Sequence, residues 1–199
     1  MPRFVRSSWR RLPHIAAVVA AMAAGTLSPT TAAETTPLRG DAAEHIAEGD
    51  RLFAFLSRAR TEAEARAMED EIWRHWMRAP DSAAAELMAK AMERRTSYDF
   101  AGAVAILDDL VVLAPEWAEG WNQRATIRFM QGDFPGSLSD IEETLQREPR
   151  HFGAMAGMAL ILTQQGRVRQ AQAILREAVE INPFLRERAM IVPVPGQDI

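Results

Sequence analysis

The chain has 199 residues, a formal net charge of −4 and 48% hydrophobic residues, which is the size and composition of about one globular domain. Because it contains no cysteine, disulfides, iron–sulfur clusters, cysteine-ligated zinc and thiol nucleophiles are excluded. The only lysine is Lys90, and no glycine-rich loop precedes it as a P-loop requires.

Residues 1–33 have the order of segments that is typical of a secretory signal peptide. Residues 1–11 hold four arginines and no acid, residues 15–24 are apolar, and Thr31-Ala32-Ala33 is a small-residue cleavage site. This apolar run is about half of what a helix needs to span a bilayer. We therefore expect a periplasmic or secreted protein with no stable membrane insertion after cleavage. The alternative is an uncleaved signal that anchors the chain in the inner membrane.

Removal of the signal would leave 19 basic and 27 acidic residues, a formal net charge of −8. Binding to nucleic acid or to anionic lipid needs clustered positive charge, so we expect no nucleic-acid partner. Residues 34–41, which include Pro37 and Gly40, are predicted to be a flexible lead.

Residues 42–80 are predicted to form a helical hairpin. Two stretches, 42–58 and 61–78, have apolar residues at helical spacing. The second opens with a capping box, in which Thr61 is followed three residues later by Glu64. We interpret the hairpin as a degenerate repeat or N-terminal cap that covers the apolar side of the first unit of the segment after it.

A period of 34 residues organises residues 82–183. It is marked by a proline at the end of each of three units: Pro115, Pro149 and Pro183. The units are residues 82–115, 116–149 and 150–183. Small residues recur in two further columns, which are Ala91, Ala125 and Ala159, and Ala103, Ser137 and Ala171. Such a period indicates an array of stacked repeats.

Each unit is predicted to be two helices joined by a tight turn. In the middle unit, Gly132 can adopt the left-handed conformation that ends the first helix. Asp133 can cap the N-terminus of the second helix, and Pro135 fits the first turn of that helix. In the first unit, Tyr98 occupies the position of the turn glycine.

These columns resemble the tetratricopeptide repeat (TPR) family. The middle unit carries the family's early Trp, small residue, turn Gly and closing Pro at Trp121, Ala125, Gly132 and Pro149. The resemblance covers all three units and implies an all-α, right-handed α-solenoid of helix–turn–helix units with an N-terminal hairpin cap. It also implies that the first helices of the units line a concave groove, which binds a peptide or another protein.

The resemblance assigns eleven side chains to this groove. They are Met88, Met92, Arg95, Glu119, Asn122, Thr126, Phe129, Met130, Leu160, Thr163 and Gln164. Small residues in the third unit leave room for a helix or side chain to enter.

Some members of the family clamp the C-terminal carboxylate of a heat-shock chaperone with Lys, Asn and Arg at set positions. Those positions here hold Met88, Met92, Gln123, Gly153 and Gly157. The cationic clamp is absent, which disfavours a role in binding chaperone tails.

Residues 184–199 are predicted to form a short C-terminal cap and tail, because Pro193 and Pro195 stop the helix after about two turns. The last unit would then be incompletely covered unless the tail, a partner or a second copy covers it. A homo-oligomer that assembles through this end is therefore the alternative to a binding scaffold.

No catalytic, cofactor-binding or metal-binding set is predicted. Glu71 and His75 lie four residues apart, but two ligands do not make a zinc site and no H-E-x-x-H motif occurs. We interpret His75, which lies between Trp73 and Trp76, as packed. Two pairs of acids are interpreted as solvated helix faces: Asp108-Asp109 and Glu142-Glu143. The sequence thus predicts a non-catalytic protein-interaction scaffold of the bacterial cell envelope, with an enzyme of unknown class as a further alternative.

Overall fold

A computed structural model of the chain describes residues 39–193, and all the regular structure in that range is helical. Eight α-helices are followed there by one 3-10 helix. Their bounds are α1 Arg39–Leu56, α2 Glu62–Trp76, α3 Ser82–Thr96, α4 Phe100–Leu113, α5 Ala118–Met130, α6 Phe134–Arg147, α7 Phe152–Gln164, α8 Val168–Ile181 and the 3-10 helix Arg186–Met190. The predicted signal peptide, residues 1–33, lies outside the described residues, and α1 begins within the predicted lead 34–41.

The helix pairs α3–α4, α5–α6 and α7–α8 coincide with the three predicted units. In each pair, the turn between the two helices contains one residue in the left-handed conformation: Tyr98 at φ 59°, Gly132 at φ 78° and Gly166 at φ 74°. The predicted turn column is confirmed, including its non-glycine member. A residue with a side chain is strained at positive φ. The turn at Tyr98 therefore has a cost in conformational free energy that the turns at the two glycines do not have.

Side-chain caps begin several of the helices. The carboxylates of Asp99 and Asp133 accept hydrogen bonds from the backbone N–H groups of Gly102 and Gly136, at 2.9 and 3.0 Å. The hydroxyl of Thr61 accepts from the N–H of Glu64 at the start of α2. These interactions satisfy N–H groups that have no partner within the helix, so each cap fixes where its helix begins.

Small buried residues bring the two helices of each unit into contact. Ala91 and Ala103 are fully buried in the first unit, and Ala159 and Ala171 are fully buried in the third. In the second unit, the Ser137 hydroxyl also donates to the Ala125 carbonyl oxygen at 2.8 Å. These small side chains allow the backbones of the two helices in a unit to approach closely.

A buried charge network joins the first and second units. Arg124 of α5 donates to both oxygens of Asp140 of α6, at 2.7 and 3.0 Å, and to Asp108 of α4 at 2.8 Å. Arg128 donates to Asp140 at 2.9 Å. The Asp140 side chain is only 2% exposed, so its charge depends on these two guanidinium groups for compensation.

The hairpin α1–α2 packs its apolar face against the third unit. One core cluster combines Leu56 and Ile72 of the hairpin with Phe152 of α7 and Ala178 of α8. The expectation that the hairpin covers the first unit is therefore corrected, since α8 offers an apolar face with no long helix after it to cover that face. Contact with the core of the first unit is made by Ala79, just after α2.

Polar contacts hold the hairpin in this place. Arg150 donates to Asp50 of α1 at 2.8 Å, and the Asn182 amide donates to Glu69 of α2 at 2.5 Å. The Trp117 indole N–H donates to the carbonyl oxygen of Trp76 at 2.8 Å. The guanidinium of Arg150 also lies 4.1 Å from the ring centre of Phe53. These polar contacts join the hairpin to the second and third units, and Ala79 extends its contacts to the first unit. The hairpin is therefore part of one folded unit with the array.

The segment after α8 folds back along that helix. The Gln172 side chain donates to the Met190 carbonyl oxygen and accepts from the Val192 N–H, at 2.8 and 2.7 Å. Arg176 donates to the Val192 carbonyl oxygen at 2.9 Å. In place of the two predicted helical turns, this segment holds a single 3-10 helix. Within residues 39–193, no helix is both long enough and apolar enough to span a bilayer.

Candidate functional site

A cavity of about 400 Å³ lies between α2, α5, α7 and the 3-10 helix. Its floor is apolar and includes Phe129, Leu160 and Ile161. Charged residues of other elements also line it: Glu69 and Asp70 of α2, and Arg186 and Glu187 of the 3-10 helix. The cavity therefore combines an apolar floor with an edge that carries three acids and one base.

Four of the predicted groove residues line this cavity: Asn122, Thr126, Phe129 and Leu160. Hydrogen bonds within α5 position the two polar side chains, Asn122 and Thr126. The Thr126 hydroxyl donates to the Asn122 carbonyl oxygen at 2.9 Å, and the Asn122 amide donates to Glu119 at 3.1 Å. The first helices of the second and third units thus contribute to one surface.

The chain's own α2 enters the groove at the third unit. The Trp73 ring lies so close to Gly153 that an added Cβ there would lie 2.8 Å from two atoms of the ring. Trp73 also packs edge-on against His151 and Phe152, with ring centres 5.4 and 6.2 Å apart. Small residues in the third unit were expected to leave room for a helix or side chain, and the side chain that enters is Trp73.

Glu119 lies in the core and not on the groove surface. It is fully buried, and it accepts hydrogen bonds from Asn122, from Gln123 at 2.5 Å and from the His151 ring at 3.0 Å. The Nδ1 of His151 accepts from the Ala154 N–H, so the ring proton is on Nε2 and is donated to Glu119. The assignment of Glu119 to the groove surface is therefore corrected, because its oxygens serve these internal donors.

Met88 is likewise a core residue, 5% exposed within the cluster of the first unit. Met92, Arg95 and Met130 line a separate, more open depression of about 420 Å³ next to the turn residue Tyr98. The groove predicted along all three units is therefore divided: the second and third units share the cavity, and the first unit contributes to the depression.

The remaining two predicted groove residues, Thr163 and Gln164, are exposed at the end of α7. The Thr163 hydroxyl donates to the Ala159 carbonyl oxygen at 2.8 Å. Their side chains lie beyond the part of α7 that lines the cavity, since the lining ends at Ile161.

The charged residues at the cavity edge were not predicted, because they belong to α2 and to the segment after α8. Burial raises the pKa of Glu69, and its hydrogen bond from Asn182 partly opposes this shift. A carboxylate that is costly to desolvate gains from a cationic neighbour. The side of the cavity that Glu69 and Asp70 line therefore favours the binding of a positively charged group.

The residues that the sequence offered for catalysis do not lie together in one site. Glu71 pairs with Arg74 at 2.6 Å, on the exposed side of α2, whereas His75 is buried against α1. Of the two acidic pairs that were interpreted as solvated helix faces, Asp109 and Glu142 are exposed. Asp108 and Glu143 instead form ion pairs with Arg124 and Arg147, at 2.8 and 2.6 Å.

Comparison with known proteins identifies the family. A sequence profile described as tetratricopeptide repeat matches residues 128–189. A TPR repeat-containing protein of Rhizobium etli is 38% identical in an alignment of 144 positions that covers 69% of this chain and 69% of that protein.

Two solved structures share the fold at low sequence identity. The TPR2B domain of yeast Sti1, in complex with pHsp70, has a TM-score of 0.51 at 23% identity and covers 55% of this chain and 91% of that one. The first TPR of Spaghetti (RPAP3), bound to an HSP90 peptide, has a TM-score of 0.53 at 16% identity and covers 55% and 88%. The predicted all-α solenoid is thereby confirmed, and the chain belongs to the tetratricopeptide repeat family, whose members are generally non-catalytic interaction scaffolds.

Proposed function

We propose that this chain is a non-catalytic protein-interaction scaffold of the bacterial cell envelope, which binds a short segment of a partner protein in the cavity between α2, α5 and α7. The observation that carries the proposal is the cavity itself, since it joins predicted groove residues from two units on a surface of mixed character. Binding sites of this kind combine apolar contact area with a few polar groups that fix orientation.

The charges at the cavity edge define the partner's chemistry. Glu69, Asp70 and Glu187 outnumber Arg186, and the predicted mature chain is acidic overall. The apolar floor suits one large apolar side chain of the partner. We therefore expect a segment in which an apolar residue is flanked by lysine or arginine.

This chemistry differs from that of a chaperone tail. The titles of the two similar structures name complexes with pHsp70 and with an HSP90 peptide. In this chain, the clamp position Gly153 is covered by the Trp73 ring, and Glu69 and Asp70 would repel a carboxylate. A C-terminal carboxylate is therefore not the ligand that we propose for the cavity.

A location in the envelope rests on the predicted signal, residues 1–33. We propose cleavage after Ala33, which leaves an N-terminus at Glu34. Fractionation of the source bacterium, followed by intact mass measurement of the purified protein, tests this directly. Recovery of an uncleaved chain with the inner membrane would support the anchored alternative instead.

Site-specific photo-crosslinking tests the binding proposal. Probes at Thr126 and Leu160 face the cavity, and a probe at the exposed Glu142 of α6 is the matched control. Capture of a different protein from both cavity positions, and not from Glu142, supports the scaffold. Equal capture at all three positions would contradict it.

A charge-reversal pair tests the partner's chemistry. Asp70→Lys should reduce capture from the cavity positions at least tenfold, whereas the same change at exposed Asp109 of α4 should leave capture unchanged. Equal effects of the two changes would show that the acidic edge does not select the partner.

Self-assembly through the C-terminal end is the second candidate. The face of α8 that would drive it is covered by the hairpin α1–α2 and by residues 190–192. Crosslinks between two copies of the chain, together with a mass that rises with concentration, would favour this candidate.

A further inference from the structure

Two histidines and a glutamate lie together where α1 packs on α2, outside the cavity. His45 and Glu48 are one turn apart on α1, and His75 faces them from α2. One ligand atom of each residue lies within 4.8 Å of the ligand atoms of the other two. We propose that His45, Glu48 and His75 form a binding site for a divalent transition-metal ion of the Zn²⁺ type.

The buried nitrogen of His75 is the strongest indication of a missing ligand. Its side chain is 6% exposed, and the Nδ1 atom has no hydrogen-bond partner within the part of the chain that the structure describes. The nearest carboxylate oxygen, Oε2 of Glu48, lies 3.5 Å away. Buried polar atoms in folded proteins nearly always have partners. A metal ion between this nitrogen and Glu48 would satisfy the atom.

The backbone of α1 is shaped to admit the His75 ring. An added Cβ at Gly49 would lie 2.9 Å from the Nε2 atom of His75. The ring therefore lies directly on α1, with Nε2 against Gly49. Its Nδ1 atom is the one that remains for a metal ion.

The two imidazole rings lie face to face. They are stacked with their centres 3.9 Å apart and their planes at 16°. A neutral imidazole coordinates a metal ion through the lone pair of one ring nitrogen, which lies in the plane of the ring. Since parallel rings cannot aim both lone pairs at one ion, the half-buried ring of His45 has to tilt when the ion binds.

Arg78 holds the carboxylate that would complete the site. Its guanidinium donates to Oε2 and Oε1 of Glu48, at 2.7 and 3.1 Å. A metal ion at Oε2 would take the place of one of these bonds and leave the other. Arg78 would then orient the ligand from outside the site, which is a common role for residues next to metal ligands.

Two imidazoles and one carboxylate suit Zn²⁺, which takes three such protein ligands when a fourth position stays open to water. Cu²⁺ would bind the same set more tightly, because affinity rises along the divalent series to copper. The ion would join α1 to α2 and so stabilise the hairpin that covers the third unit. This inference does not depend on the proposed function of the cavity.

Isothermal titration of the purified chain with Zn²⁺ alone, prepared without a histidine tag, tests the site. We expect one ion per chain. His45→Ala and Glu48→Gln should each weaken binding by at least about tenfold. Glu44→Gln removes an exposed acid next to His45 and is the matched control, with less than a twofold effect.

Thermal denaturation provides a second readout. Zn²⁺ should raise the melting temperature of the parent chain and of Glu44→Gln, and at the same Zn²⁺ concentration it should raise that of His45→Ala by less. Circular dichroism of His45→Ala without metal checks that the variant is folded. Binding of equal strength in the parent and in His45→Ala, or no saturable binding to the folded parent, would overturn the proposal.

Discussion

Replacing Gly153 with alanine tests whether the Trp73 ring occupies the groove. The added Cβ would lie 2.8 Å from the ring, whereas ordinary contacts at Cβ lie at 3.4–4 Å, so the ring has to move by about 0.6 Å or more. Such overpacking costs about 1–3 kcal/mol. Alanine returns about 0.5–1 kcal/mol through its higher helix propensity. The net loss in the free energy of unfolding should be about 0–2.5 kcal/mol.

The same helix offers a matched control. At Gly157, one turn further along α7, an added Cβ would lie 3.7 Å from Ile141, which is ordinary contact. Gly157→Ala should therefore stabilise the chain by about 0.5–1 kcal/mol. Urea unfolding followed by circular dichroism measures both variants, and an unchanged m-value shows that only stability has changed.

A double-mutant cycle with Trp73→Ala separates the two contributions at Gly153. Without the ring, Gly153→Ala should gain the propensity term and become stabilising, so its sign should reverse. Trp73→Ala alone should destabilise the chain by about 3 kcal/mol, the lower end of the range for tryptophan, because the ring is half-buried. If Gly153→Ala stabilises the parent chain as much as Gly157→Ala does, Trp73 does not lie against Gly153 and the reasoning is refuted.

Three further predictions use the same unfolding assay. Asp140→Asn should destabilise by about 1.5–3 kcal/mol, because it removes the buried carboxylate that Arg124 and Arg128 share, although Arg124 keeps its bond to Asp108. Asp108→Asn, at a half-exposed position, should cost about 0.2–1 kcal/mol; equal effects would contradict the network. Tyr98→Gly should stabilise by about 1 kcal/mol, since it relieves the positive φ of an exposed residue; a loss of stability would contradict this. Burial raises the pKa of Glu69 above its ordinary value of 4.5, so folding favours the protonated form. Below pH 4.5, Glu69→Gln and the parent chain should therefore have the same free energy of unfolding. Above that pH, the parent should become less stable than Glu69→Gln, because its carboxyl group ionises. A difference that does not change between pH 3 and pH 7 would contradict the last prediction.

The repeat array could be predicted because its determinants are local. The left-handed turn at Gly132, the cap at Asp133 and the contact between Ala125 and Ser137 each follow from residue type at a fixed spacing. The 34-residue period repeats the left-handed turn and the small-residue contact in all three units, and it repeats the aspartate cap in the first two. Where a unit departs from the pattern, as at Tyr98, its neighbours still impose the turn.

The position of the hairpin could not be predicted from such local signals. Its apolar stripe showed that α1 and α2 must be covered, but the stripe fits the first unit and the third unit equally well. One signal was present in the sequence: Pro193 and Pro195 shorten the segment after α8, and an uncovered end requires some other cover. The contacts that decide the matter, such as Glu69 with Asn182, join residues more than one hundred positions apart.

The same separation in sequence hid the two candidate sites. Asp70 and Glu187 come together at the cavity only because α2 and the 3-10 helix both pack beside α7. His75 was considered with Glu71, its neighbour on the same helix, but its actual neighbours belong to α1. Motif spacing within one helix could not reveal a ligand set that is divided between two helices.

The extent of the hairpin's packing argues that a partner binds beside it and does not displace it. Its buried members include Phe53, Leu56, Ile72 and Trp76, and burial of four such side chains contributes about 6–12 kcal/mol. Part of this burial is between α1 and α2, and a partner that removed even half of it would lose about 3–6 kcal/mol of binding free energy. That loss lowers the apparent affinity by about 10²- to 10⁴-fold. A segment that enters the cavity with Trp73 in place avoids this cost, so amide hydrogen exchange in α2 should stay as slow in the complex as in the free chain.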